Sequence, residues 1–523
     1  MNTYGKLCAI VVLIIAVSES FETKGAAMNP LPFDMPASST LSASSHKVFA
    51  HYFPVFPISM DNKPSGEDSY ATQFLNPDGQ GGKYAANGGF IRERPLPRAV
   101  DPSPNWQLDD METEVRRASG AGLDGFAFDI LSVSGVYWNR LKLLLQAADT
   151  VDPNFRIMLR PASNASDVSN PQALASAIAG IANDPGVFHL SDGRLVVSPF
   201  APETQGAPWW SNWIDIMQDQ YGIKIAFVPC FVHYSASNTS AFAPFSYGLS
   251  NWGNRSPDPN QNVGATTIDD VHALGKIWMQ PVSAQDERPD SGVYWEADNT
   301  ENYRYTWNAA INDGADWVMI PTWNDYSEGT EISPSTHIGW GFLDLASYYL
   351  TRFKTGQWPA IVRDVIYVSY RVQFANALPQ ASGGETKLMK LVSQSPARDA
   401  VEVLSFLTEP SIVEVNIGGK TQQVSVPAGE SDALLALAPG PISAQVIRNG
   451  QPIVSVNSPF IVETDFPIQN EQYYMMTSGR AAFATQLNLG HHSGMARSLP
   501  NDFQRRKEGI HFSGLPTAVR VIQ

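Results

Sequence analysis

What the chain has little of narrows its chemistry first. Its 523 residues include two cysteines, Cys8 and Cys230. Cys8 lies in an apolar run from Leu7 to Val17, preceded by Lys6 and followed by the small residues Ser18 and Ser20. That make-up predicts a cleavable export signal over residues 1–20 and a secreted protein, extracellular or periplasmic. Once the signal is removed, Cys230 stands alone, no intramolecular disulfide is possible, and stability has to come from the core. Cys230 itself sits in IAFVPCF and reads as a small packed hydrophobe. No later run reaches the roughly 20 apolar residues that span a bilayer, so no membrane association is expected after cleavage. Basic residues are also scarce. Against 51 acidic side chains there are 35 Lys and Arg, a formal charge of -16, which repels phosphate backbones and excludes nucleic acid as a partner. The sequence lacks a G-x-S-x-G elbow, a GxxxxGK[ST] loop, an HExxH helix and paired CxxC motifs, so neither a metal nor an organic cofactor is expected.

What is present points to a large α/β protein. A hydrophobic content of 43% in a chain of this length is enough for a catalytic-sized domain and a smaller second one. After a Ser/Pro/Ala-rich stretch, read as a flexible spacer over 21–45, strand-like runs occur near Val48, Phe126, Ile157, Val196, Ile225, Tyr247, Ile277 and Val318. Helical periodicity fills several gaps, as in Trp106 to Ala118, Trp138 to Ala148, Pro171 to Ile181 and Asn302 to Ile311. This alternation predicts a (β/α)8 TIM barrel over residues 46–357. The Gly/Pro/Asp/Asn-rich stretch from Met60 to Asp101 reads as a long loop after the first strand. Beyond Trp358, segments such as VEVLSFL, SIVEVNI and QQVSVPA alternate without long helices and predict a C-terminal β-sandwich over 358–478. Residues 479–523 lose periodicity and are expected to form a poorly ordered tail.

In such a barrel, side chains just past the C-terminal ends of the strands converge on one mouth. The corresponding positions are His51 and Tyr52, Asp129, Arg160, His233, Asn251 and Trp252, then Gln285 and Asp286. The eighth strand, WVMIPTWNDYSEGTEI, adds Trp323, Asn324, Asp325 and Glu328. Breaking a glycosidic bond takes one carboxylic acid to protonate the leaving oxygen and one carboxylate to activate water or attack the anomeric carbon. Asp325 and Glu328 can supply both, and close carboxylates push their proton affinities apart. Asp129, His51, Tyr52 and Asn324 suit contacts to sugar hydroxyls, and Trp252 and Trp323 suit stacking on sugar rings. On residues alone a noncatalytic carbohydrate-binding barrel stays open beside the enzyme. Glu331 and His337, farther along the same loop, read as structural.

These residues bring out a resemblance. AHYF at the first strand, AGLDGFAFD at the second, DGRLVVSPFAPE at the fourth, FVPCF at the fifth, and LGKIWMQPVS and TWNDYSEG at the seventh and eighth resemble glycoside hydrolase family 71, the endo-acting α-1,3-glucanases or mutanases. The likeness spans roughly Lys47 to Gly479. It implies a polysaccharide substrate, Asp325 and Glu328 as the acidic pair, and inversion of configuration. Three places depart from the family's pattern: Asp129 stands where Asn is usual, LRPAS ends the third strand, and VSAQDER replaces an aromatic segment. SEGTEISP is also similar to family 99, the endo-α-mannosidases, which retain configuration and space their acids alike. That likeness leaves a retaining mannosidase-like hydrolase as the alternative. The oligomeric state is not legible in the sequence.

Overall fold

In the first strand, Lys47–Tyr52, a side-chain period of two divides the residues between two cores. Val48, Ala50 and Tyr52 face outward into a layer shared with the helices, while Phe49 packs inside a barrel with Ala127, Met158, Val196, Ala226, Met279 and Met319. The computed structural model describes residues 30–165, 168–258, 264–393 and 395–480. Within them the barrel strands are, in chain order, Lys47–Tyr52, Gly125–Ile130, Arg156–Pro161, Leu195–Val197, a fifth in two pieces, Gly248–Asn251, Ile277–Pro281 and Trp317–Ile320. All pair in parallel, and the first strand joins the eighth and the second.

The fifth strand closes the ring. Its first piece, Ile225–Phe227, pairs with the fourth strand, and its second piece, Cys230–Phe231, pairs with the sixth. Pro229 separates them, since a residue without an N–H interrupts a ladder. A helix follows every strand, from Trp106–Gly120 after the first to Gly341–Thr355 after the eighth. Starts are set locally: Asn170 accepts from the Gln172 and Ala173 amides ahead of Pro171–Ala179, with Pro171 in the first turn.

Two four-stranded antiparallel sheets make the sandwich. One runs in the order Gly429–Ala436, Ala400–Leu407, Val365–Arg371, Tyr473–Thr477; the other holds Lys420–Val426, Ser411–Ile417, Gly440–Arg448 and Gln451–Val462. Three strands of the first sheet, Ala400–Leu407, Val365–Arg371 and Tyr473–Thr477, are buried on both faces. Ile366, Val368, Val401 and Val403 meet the second sheet, while Tyr367, Leu404, Phe406 and Met475 join the barrel's outer core. Gly341 permits this contact, because a Cβ there would lie 1.9 Å from the Met475 sulfur.

The spacer expected over 21–45 differs from residue 30 onward. Leu31, Phe33 and Leu41 are buried in the barrel core, Ser38–Ser42 is helical, and Arg363 donates to the Leu31 and Phe33 carbonyls. Apolar side chains inside a Ser/Pro-rich stretch anchor it. The signal at 1–20 and the tail past Arg480 lie outside the described residues. Among those described, no helix is long and apolar enough to cross a membrane.

Candidate active site

The loop after the eighth strand is clasped before it presents any acid. The Thr322 amide donates to the Thr330 carbonyl, the Ile332 amide to Thr322, and the Ser333 amide to Trp323, so the two arms run side by side. The Trp323 amide donates to the His51 carbonyl at 2.7 Å, tying the loop to the first strand. Asn324 completes the anchorage: its Oδ1 accepts from the Phe53 amide at 2.8 Å, and its Nδ2 donates to the Phe53 and Phe56 carbonyls. Between these anchors Asp325 and Glu328 are held in place.

Asp325 is 6% exposed, and one of its oxygens, Oδ1, accepts from the Ser327 amide and hydroxyl. Burial, followed by the charge of Glu328, pushes its carboxyl well above the usual range. Glu328 is also raised by burial, but Arg288 opposes the shift, with Nη1 3.0 Å from Oε1. Its second oxygen, Oε2, has no hydrogen-bond partner among the described residues. Arg288 is fixed in turn by two bonds to Asp286, at 2.7 and 2.6 Å, and Arg255 approaches the same carboxylate at 3.5 Å. The pair is thus unequal: burial and its neighbour's charge raise Asp325, while a guanidinium opposes the rise at Glu328.

Across the mouth, His51 and Asp129 face the barrel axis with Nε2 and Oδ1 3.7 Å apart. Burial lowers the proton affinity of His51, against the pull of Asp129. Half-buried Trp252 stands edge-on to His51 at 5.0 Å and lies between two guanidiniums, Arg160 at 5.2 Å and Arg255 at 5.3 Å. Asp325, Glu328, Asp129, His51 and Trp252 therefore all belong to the strand-end layer of the barrel.

Three expected contacts do not. Tyr52 points into the helix layer, its hydroxyl against the Met111 sulfur at 3.3 Å and its ring stacked on Phe128. Neighbours on a strand face opposite ways, so His51 and Tyr52 could not both reach the mouth. Trp323 is fully buried in the same layer, 4.8 Å from Phe126. Asn324 spends its amide on the backbone anchors above and is fully buried, so it positions the loop and does not line the cleft. Gln285 bonds both backbone groups of Tyr473 and braces the sandwich. The residues missed were Arg288 and Arg255. Arg288 carried a signal in the sequence, a cation beside acids in QDER after the seventh strand, whereas Arg255, in WGNR after the sixth, carried none.

Curated proteins similar to this chain share modest identity with it. A glucan endo-1,3-alpha-glucosidase of Schizosaccharomyces pombe is 24% identical over 69% of this chain and 88% of its own length. A mutanase of Penicillium rubens is 25% identical over 67% of this chain and 81% of its own. Among solved structures, an endo-alpha-mannosidase of Bacteroides thetaiotaomicron covers 60% of this chain and 98% of its own at 14% identity, with a TM-score of 0.46, too distant to bear on chemistry. The family model for glycosyl hydrolase family 71 matches residues 99–486, from just before the first barrel helix to beyond the last sandwich strand. With its loop of paired acids on a closed barrel and that match over most of its length, the chain belongs to glycosyl hydrolase family 71.

Proposed function

We propose that the protein cleaves α-1,3-glucan within the chain, outside the cell, with Asp325 and Glu328 as its acid and base. The observation that carries this reading is the asymmetry of the pair. Asp325 is buried, raised by its neighbour's charge, and suited to protonate the leaving glycosidic oxygen. Glu328 faces Arg288 through one oxygen, which opposes the rise that burial causes, while the other oxygen has no hydrogen-bond partner among the described residues and is suited to take a proton from water. Asp129 and His51 hold sugar hydroxyls, and Trp252 stacks on a ring. The substrate class is taken from the relatives, which include an ascus wall endo-1,3-alpha-glucanase of Schizosaccharomyces pombe. Action on a wall polymer fits the export signal expected at residues 1–20.

The test is incubation with α-1,3-glucan, following new reducing ends and the anomeric configuration of the product by NMR. Short oligosaccharides released with inverted configuration support the reading, and Asp325→Asn and Glu328→Gln should each abolish release while glucan binding persists. Cleavage of an α-mannan with retention would move both substrate and mechanism. Binding without turnover by the unmodified protein would refute the enzyme.

A further inference from the structure

Behind Asp325 two more carboxyl groups are buried with no committed cation. Glu93, from the long loop after the first strand, and Glu331, on the same loop as Asp325, are both 0% exposed. The arginines flanking Glu93 in sequence are engaged elsewhere, Arg92 with Glu385 and Arg94 with Asp68. One oxygen of Glu93, Oε2, accepts from the Ser335 hydroxyl and the His337 amide. Its other oxygen has no donor, and neither oxygen of Glu331 has one. The Glu331 carboxyl lies within hydrogen-bonding reach of Glu93. Two buried carboxylates in contact repel, and each orphaned oxygen costs its full desolvation. A single proton between them turns the repulsion into a hydrogen bond and supplies the missing donor.

We infer that Glu331 is a protonated carboxyl donating to Oε1 of Glu93, and that this shared proton is the positioning device of the loop that carries Asp325. It cross-links the loops after the first and eighth strands and keeps a further negative charge away from the Asp325 and Glu328 pair. The groups facing it are Asp325 and Tyr326 on the same loop, Arg92 and His337 beside Glu93, and Tyr474 and Glu287 from the sandwich and the seventh-strand loop. Its catalytic consequence rests on the function proposed above; its existence does not.

Two measurements on the full-length protein separate these. First, infrared spectra without substrate, for the unmodified protein and for Glu331→Gln at mildly acidic to neutral pH, should show a buried protonated-carboxyl band weakened by the substitution. An identical band in both proteins overturns the assignment, whatever the protein hydrolyses. Second, kcat/KM is followed against pH. A carboxamide at this position can donate to Glu93 in place of the acid, so Glu331→Gln should keep activity within about threefold and extend it to higher pH, since the pair can no longer acquire a second negative charge. Glu331→Ala strands Glu93 and should lose about a hundredfold through misplacement of Asp325, with melting curves checking that it folds. Loss of activity in a folded Glu331→Gln variant, or an alkaline limb unchanged from the parent, overturns the positioning role.

Discussion

Replacing Arg288 with methionine tests the asymmetry of the acidic pair directly. The guanidinium is 3.0 Å from Oε1 of Glu328, a side chain about a quarter exposed (24%), and Met keeps much of the aliphatic volume while deleting the charge. At an effective dielectric constant of about 20, two unit charges at this separation attract by roughly 5 kcal/mol, an upper bound for a partly solvated pair. Screening and relaxation reduce that to about 1.5 to 3 kcal/mol, equivalent to a proton-affinity increase of about 1 to 2 pH units. Asp286 keeps Arg255 at 3.5 Å, so its own charge stays partly balanced, but it no longer has the two short bonds to Arg288.

The direction follows from the proposed role. A general base works only when ionised, so raising the proton affinity of Glu328 shifts the acidic limb of the kcat/KM profile to higher pH by about 1 to 2 units. Arg288 also lowers the proton affinity of Asp325, less strongly than burial raises it, so the alkaline limb, set by Asp325 on this reading, should stay or rise slightly. At pH 5 the variant should therefore lose about ten- to a hundredfold, recovering in part near pH 7. The assay is reducing-end release from α-1,3-glucan from pH 4 to 9. An acidic limb in Arg288→Met that coincides with the parent's would refute the assignment of Glu328 as the base held by Arg288. A shift of the alkaline limb alone would exchange the two roles.

Other outcomes follow from the same geometry. Asn324→Ala leaves the Phe53 amide and the Phe53 and Phe56 carbonyls without their side-chain partner, which should cost about 3 kcal/mol by denaturant titration and lower kcat more than it raises KM. Trp252→Ala should raise KM for glucan with little change in melting temperature, whereas Trp323→Ala, at a fully buried position, should destabilise by about 3 to 5 kcal/mol. Stability should also fall as pH rises. Burial raises Glu287 to about 8, and Glu114 and Glu471 to about 7, from an ordinary 4.5. Between those values the folded chain binds protons that the unfolded chain has released, so unfolding becomes easier with increasing pH. Buried His51 and His337, lowered from 6.5, act oppositely but only below about that pH. A melting temperature that held or rose from pH 6.5 to 8.5 would contradict this balance.

The barrel was legible because each strand is a short apolar run bounded by turn residues, and the helices between them keep their period. The break at Pro229 was readable as a proline inside a strand, but its consequence, two half-strands pairing with different neighbours, depends on sheet closure and has no local signature. Parity was the error at the mouth. His51 and Tyr52 are adjacent, so one had to face away. Trp323 lies past the last ladder residue, where alternation no longer says which way a side chain turns. Asp325 and Glu328 were legible as a candidate pair because they lie in one short segment. The cation beside them was not, because Arg288 reaches Glu328 from the loop after another strand, and spacing along the chain carries no information about such meetings.

The same reasoning bears on the sandwich, whose sequence suggested an appended domain. Its last strand runs behind the loop after the eighth strand. Tyr474 stacks on His337 with ring centroids 4.1 Å apart and its hydroxyl 3.0 Å from Nε2, and Gln472 bonds the opposite ring nitrogen at 2.7 Å. His337 in turn donates its amide to Glu93, so the sandwich reaches the buried acid pair through one residue. Charged groups are sealed at the junction as well: Arg371, 1% exposed, lies between Glu296 and Glu471, and Glu402 meets Arg304 and Thr300. Removing one side of such a seam would leave fully desolvated charges without partners, at several kcal/mol each. The sandwich is therefore packed as a wall of the barrel, and the loop after the eighth strand is braced at His337 by a strand near the far end of the described chain.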